Sequence, residues 1–204
     1  GERGLELVIG LLFGALFFWV SIGFWTAIAG TILCLTGIDR FRISRRIPDT
    51  LPDSDSRIAM VMPIYNEPVS RVYAGLRATI RSIQSSELAD RVHYFILSDS
   101  TDPDTQVQEE VAWAELIRDL GMAGRVHYRR RRHRINRKTG NIADFCRRWG
   151  DRYDYMMVLD ADSVLQGLCL EQLVGILDTS PQVGIVQTAP IPSNRGTLFA
   201  RVQQ

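Results

Sequence analysis

The sequence predicts an α/β fold, a mostly parallel sheet with helices on both faces, preceded by one transmembrane helix. Three observations predict it. Residues 7–38 carry no charged side chain, the chain beyond residue 57 alternates short apolar runs with segments of helical period, and 204 residues suffice for one sizeable core plus an appendage. The implied boundaries are 1–40 for the membrane helix and its flanks, 41–56 for a juxtamembrane linker and 57–204 for the α/β domain.

The charge-free run reads LVIGLLFGALFFWVSIGFWTAIAGTILCLTGI. About 20 apolar residues cross a bilayer, so one tilted helix is expected. The run is too long for the apolar region of a signal peptide, and no A-x-A-like cleavage site follows it. Gly10 and Gly14 have the G-x-x-x-G spacing that can seat a second helix, or are ordinary membrane glycines. Arg40, Arg42, Arg45 and Arg46 follow the run, whereas Glu2, Arg3 and Glu6 precede it. The positive-inside rule then assigns the chain after Arg40 to the cytoplasm. Pro48, Pro52 and the aspartates and serines around them mark the linker.

The α/β elements follow in order. RIAMVMPI (57–64) is a short apolar strand, and Val69, Val72, Tyr73, Leu76, Ile80 and Ile83 recur at helical spacing behind it. VHYFILS (92–98) is the second strand. Asp102 and Pro103 supply an N-cap and a proline at the first helical position. The helix they start runs through Val107, Val111, Ala114 and Ile117 and stops near Gly121. RVHYR is a third, shorter strand, NIADFCRRW a helix, YMMVL a fourth strand, LEQLVGIL a helix and VGIVQT (183–188) a fifth strand. Such alternation argues a parallel sheet covered on both faces.

Composition narrows the function. The net charge of +1 gives no bulk field for nucleic acid, and Cys34, Cys146 and Cys169 lack C-x-x-C spacing and read as reduced thiols, in keeping with a cytoplasmic face. The basic run YRRRRHRINRK (128–138) has little aromatic interleaving, so no nucleic-acid partner is expected. Arg129 to Arg132 read as a solvated basic loop, and His93 and His127 as packed or edge residues of their strands.

The chemistry gathers at strand ends. In open α/β sheets ligands bind outside the carboxyl ends of the strands. Asp160 and Asp162 follow the fourth strand one residue apart, and in extended chain such residues project to one side. Two carboxylates sharing a site repel unless a cation lies between them. Hard oxygen ligands in that number suit Mg²⁺ or Mn²⁺ held for a phosphorylated ligand, although two aspartates capping a helix explain the pair as well. Asn66, Glu67 and Asp99 are polar groups at the ends of the first two strands. Lys138, in RKTGN, stands at a helix N-terminus, where free N–H groups attract anions.

VMPIYNE, LSDS, KTGN and LDADS, in this order, resemble the nucleotide-binding half of family-2 glycosyltransferases, which have the GT-A fold. VGIVQTAP resembles the strand that follows the D-x-D in their cellulose synthase branch. AGLRATIRSI, YRRRRHRINRKTGNIADFCRRWG and LDADSVL resemble, more narrowly, the glucans biosynthesis glucosyltransferase H family. That family consists of inner-membrane enzymes that make the β-glucan backbone of osmoregulated periplasmic glucans.

The resemblance implies inverting transfer of glucose from UDP-glucose to a growing β-glucan acceptor at the cytoplasmic side of a bacterial inner membrane. It implies that Asn66 and Glu67, shaped by Pro63 and Tyr65, lie beside the uridine, and that Asp99 contacts the uracil. Lys138 then approaches the diphosphate, Gly140 allows close approach of backbone there, and Asp160 and Asp162 hold Mg²⁺ or Mn²⁺ with the UDP diphosphate. A periplasmic glucan-processing partner and acyl carrier protein are further partners the family suggests, besides the lipid bilayer. The T-E-D-like base and Q-x-x-R-W motifs of such enzymes do not occur here, so the chain is expected to be a fragment that lacks the acceptor half and transfers nothing alone. Rival readings are a cellulose- or chitin-type synthase, a polyprenyl-phosphate glycosyltransferase, an aspartyl-phosphate phosphatase, and a membrane-anchored interaction domain that retains a nucleotide fold. The phosphatase pair normally ends the first strand, and here it follows the fourth.

Overall fold

The computed structural model describes residues 2–37 and 55–188. Arg40, Arg42, Arg45 and Arg46, and all but the last two residues of the expected linker, lie outside the described residues. The chain divides into two compact units, residues 1–45 and 46–204.

The described residues of the first unit form one helix, α1 (Glu2–Thr36). Most of its large apolar side chains are exposed, from 46% at Leu33 to 82% at Leu35, the pattern expected of a candidate membrane span. It is long and apolar enough to cross a membrane. The hydroxyls of Thr26, Thr31 and Thr36 each donate to the carbonyl four residues earlier, at 2.7, 2.8 and 2.8 Å. These bonds satisfy the hydroxyls within the helix, which an apolar surrounding demands.

Among its described residues the second unit has four parallel strands in the order β3-β2-β1-β4: β1 (Ile58–Ile64), β2 (Val92–Ser98), β3 (Val126–Arg130) and β4 (Tyr155–Val158). β1 is central and buried at every residue. It pairs with β2 from Ile58↔Val92 to Ile64↔Ser98 and with β4 from Ile58↔Tyr155 to Val61↔Val158. A strand covered on both faces needs apolar residues throughout, and IAMVMPI supplies them.

The two faces carry different helices. Met60, Met62 and Ile96 point to a core shared with α2 (Val69–Gln84), α3 (Pro103–Leu120) and α5 (Gly167–Thr179). Leu76, Ile80 and Ile83 of α2 are at most 1% exposed, and full burial of such a side chain contributes about 1.5–3 kcal/mol. Ala59, Val61, Phe95 and Leu97 face the other way onto Phe145 and Trp149 of α4 (Arg137–Trp149). His93 and His127 stack at 5.8 Å on this second face.

Two expectations fail. Val107 and Val111 are 62% and 53% exposed, so the buried stripe of α3 is not the one their spacing suggests. Ala112, Trp113, Leu116, Ile117 and Leu120 pack on the core instead, and Glu109 lies buried in the same stripe. Residues 183–188 form no strand: after α5 the chain turns at Ser180–Val183 and continues without a ladder, leaving Ile185 87% exposed. An apolar run becomes a strand only when a partner takes its backbone groups, and no ladder joins this run to β4.

Candidate functional site

Every strand of a parallel sheet presents its carboxyl end to the same rim, and there lies a cavity of about 820 Å³. The β1 end forms its first wall. Asn66 adopts the left-handed conformation at φ 52°, which asparagine tolerates better than most residues, and turns the chain towards α2. Glu67 folds back so that its carboxylate accepts the Tyr65 N–H. The Arg134 guanidinium covers the half-exposed Tyr65 ring at 3.6 Å. A hydrogen bond with Thr101, then the neighbouring Arg134, lowers the pKa of the Tyr65 phenol below its ordinary value.

The β2 end forms the second wall. Asp99 is 5% exposed, and its N–H donates to the Ile64 carbonyl at 2.9 Å. Arg131 grips its two oxygens as a fork, Nε at 2.5 Å and a terminal nitrogen at 2.7 Å. The same guanidinium donates to the carbonyls of Ile135 and Arg137 at 3.0 and 2.7 Å. Arg131 thereby ties the 131–137 loop to β2, and the Asp99 hydrogen bonds raise its own pKa.

That loop and the start of α4 deliver Arg134, Arg137 and Lys138 to the cavity. Asn136 and Arg137 both have positive φ where it enters α4. A β-carbon on Gly140 would lie 2.0 Å from the Ile135 carbonyl oxygen, so only glycine lets the loop close on the helix. Asn141, 1% exposed, donates to the Leu97 carbonyl at 2.9 Å and accepts from Arg129.

Asp160 and Asp162 complete the rim. The Ser163 N–H bonds to the Asp160 carbonyl at 3.0 Å, closing a turn. Both ends of the segment are anchored: Leu159 N–H to the Val61 carbonyl at 3.0 Å, and Leu165 N–H to the Thr79 hydroxyl at 3.1 Å. The Lys138 ammonium contacts the Asp160 carboxylate. Among the described residues no group of three or more His, Cys, Asp and Glu could ligate a metal. Two carboxylates are still a donor set that Mg²⁺ can use, since it commonly takes one or two and fills its shell with water and phosphate oxygens, and the Lys138 ammonium would have to yield Asp160 to it.

The model of the family described as glycosyl transferase family 2 matches residues 59–204. The chain belongs to glycosyl transferase family 2. It is 54% identical, over its whole length, to a glucans biosynthesis glucosyltransferase H from Ralstonia nicotianae, of which it covers 24%. Proteins of the same name from Dickeya dadantii and Pseudomonas aeruginosa are 51% and 53% identical over 98% of the chain, which covers 24% and 23% of them. The chain thus spans about a quarter of the length of the curated relatives it matches.

In this family-2 domain seven of the nine expected site residues line the cavity: Pro63, Tyr65, Glu67, Asp99, Lys138, Asp160 and Asp162. Asn66 and Gly140 do not. The Asn66 amide oxygen accepts from the N–H groups of Thr101 and Asp102 at 3.0 and 3.4 Å, so the side chain fastens two loops together. Gly140 makes room for the chain's own loop. Of Arg129 to Arg132 only Arg132 is a solvated loop residue: Arg129 and Arg130 belong to β3, Arg129 pairs with Asp144, and Arg131 with Asp99. Asp160 and Asp162 share the rim through a turn rather than through the alternation of extended chain. Arg71, Arg134, Arg137 and Asn141 also line the cavity. The basic run held two of them, but its charges alone do not separate the cavity-facing arginines from those paired with acids.

Proposed function

We propose that the cavity binds UDP-glucose, and that the whole protein is a membrane-bound, inverting glucosyltransferase that builds the β-glucan backbone of osmoregulated periplasmic glucans. The observation that carries the reading is the convergence of Tyr65, Glu67, Asp99, Lys138, Asp160 and Asp162 on one cavity at parallel strand ends. The relatives named glucans biosynthesis glucosyltransferase H support the substrate class.

In this reading the nucleobase lies between Tyr65 and Asp99, whose remaining lone pairs can accept from it. Lys138 and Arg137, at the start of α4, meet the diphosphate, where a helix N-terminus adds its partial positive charge. Asp160 and Asp162 would hold Mg²⁺ or Mn²⁺, which supplies positive charge against the departing diphosphate. Lys138 bridges from Asp160 towards the same phosphates. The arginines after the membrane helix argue that the domain works in the cytoplasm, against the inner membrane.

Calorimetry of the full-length protein in detergent micelles tests the assignment. UDP is expected to bind in a Mg²⁺- or Mn²⁺-dependent manner, and Asp162→Asn to abolish most of that dependence. Equal UDP affinity with and without metal in the wild type would refute the metal assignment, and no UDP binding at all would refute the site.

A further inference from the structure

Glu109 is 1% exposed, and the chemistry above makes no use of it. It occupies a position in the core-facing stripe of α3 where an apolar residue would cost nothing. A buried carboxylate is destabilising unless its lone pairs are filled, and three hydroxyls fill these. Ser98 donates at 2.6 Å and Tyr128 at 2.9 Å to one oxygen, and Ser100 donates to the other. Ser98 and Ser100 flank Asp99 at the end of β2. The Ser100 oxygen in turn accepts the Asn66 N–H at 2.9 Å, from the residue that turns the chain out of β1.

The direction of this relay depends on the carboxylate. A hydroxyl has a single proton, and an ionised carboxylate can only accept. The Ser100 proton is therefore committed to Glu109, which leaves the oxygen lone pairs for the Asn66 amide. Glutamine at 109 has the same size but could donate, and would free the Ser100 proton to point at the Asn66 N–H.

We propose that Glu109 is a positioning residue of the donor site: through Ser98 and Ser100 it fixes the β1 and β2 ends so that Tyr65 and Asp99 present one arrangement to the base of a nucleoside diphosphate. This rests on the nucleotide reading of the cavity. Its effect belongs in nucleotide affinity at the base end, and not in phosphate binding or in general stability.

The experiment compares Glu109→Gln and Ser100→Ala with Tyr128→Phe in the full-length protein in micelles, with Mg²⁺ present. Tyr128→Phe also removes one hydroxyl from Glu109, but on the β3 side, away from Asn66. Calorimetric Kd for UDP, the affinity for inorganic pyrophosphate, melting temperature and hydrogen exchange over residues 64–67 are measured for each. Glu109→Gln and Ser100→Ala are expected to raise the UDP Kd roughly tenfold, the worth of one buried hydrogen bond, and to speed exchange at Asn66. Pyrophosphate affinity stays unchanged in all three variants, and Tyr128→Phe keeps the wild-type UDP Kd within about twofold. Wild-type UDP affinity in both relay variants overturns the proposal, as does a loss in all three that tracks melting temperature. A wild type that fails to bind UDP overturns the nucleotide reading itself, and the proposal falls with it.

Discussion

Replacing Arg131 by methionine strands a buried carboxylate. The side chains of Arg131 and Asp99 are 11% and 6% exposed, and the fork between them supplies two charge-assisted hydrogen bonds. Breaking a buried pair by removing one partner typically costs about 3–5 kcal/mol, because the remaining charge keeps its desolvation penalty. The bonds to the Ile135 and Arg137 carbonyls add little, since both residues are exposed and water can replace them. The expected loss of about 3–4 kcal/mol is a large share of the roughly 5–15 kcal/mol that holds a domain together. Arg131→Lys keeps the charge without the fork and loses less. Adding Asp99→Asn to Arg131→Met removes the stranded charge and recovers part of the loss. Urea titration of the full-length protein in micelles, followed by tryptophan fluorescence, measures all three. A loss below about 1 kcal/mol for Arg131→Met, or no recovery in the double variant, would show that water reaches Asp99 and that the pair behaves as a surface bridge.

Gly140→Ala places a methyl group 2.0 Å from the Ile135 carbonyl oxygen, so the loop or the start of α4 must move. It is expected to cost about 1–3 kcal/mol and to weaken UDP binding, read by the same titration and by calorimetry. Burial, joined at His93 by the charges of His127, Arg57 and Arg125, lowers the pKa of His93 and His127 below the ordinary 6.5. The unfolded chain then takes up protons before the folded one, so stability falls as pH drops below about 6.5 and levels off once the folded histidines titrate. Urea midpoints between pH 5 and 7.5 should follow that slope, and His127→Gln should flatten it. A reporter that is active only in the cytoplasm should work when fused after Gln204, whereas activity of a periplasm-only reporter there would contradict the orientation.

Much of the fold was legible because burial writes itself as pattern. The α2 stripe from Val72 to Ile83, the Asp102 cap with Pro103, and the stop at Gly121 in the left-handed conformation all follow from local rules. The α3 face did not. Val107 and Val111 sit at helical spacing yet face outward, because Glu109 takes the inward position and owes its place to partners on β2 and β3. A buried carboxylate has no periodic signature, since what permits it is distant in sequence. The 128–138 run failed for a related reason. Arg131 is separated from Asp99 by 32 residues, and no spacing rule shows which arginine meets which acid. Asp160 and Asp162 were legible as a pair at a strand end, and both line the cavity, whereas the turn that carries them depends on anchors in β1 and α2.

Arg71, Arg134, Arg137 and Lys138 line the cavity together with Glu67, Asp99, Asp160 and Asp162, four cations with four anions. Arg131 neutralises Asp99 from behind. A wall so nearly balanced casts a weak field beyond the Debye length of about 8–10 Å. It gives little long-range steering to free polyanions, and recognition falls to contacts made after arrival. Raising the ionic strength should therefore slow capture of an anionic ligand only slightly. A purely basic pocket built from the same arginines would lose much of its ligand to salt.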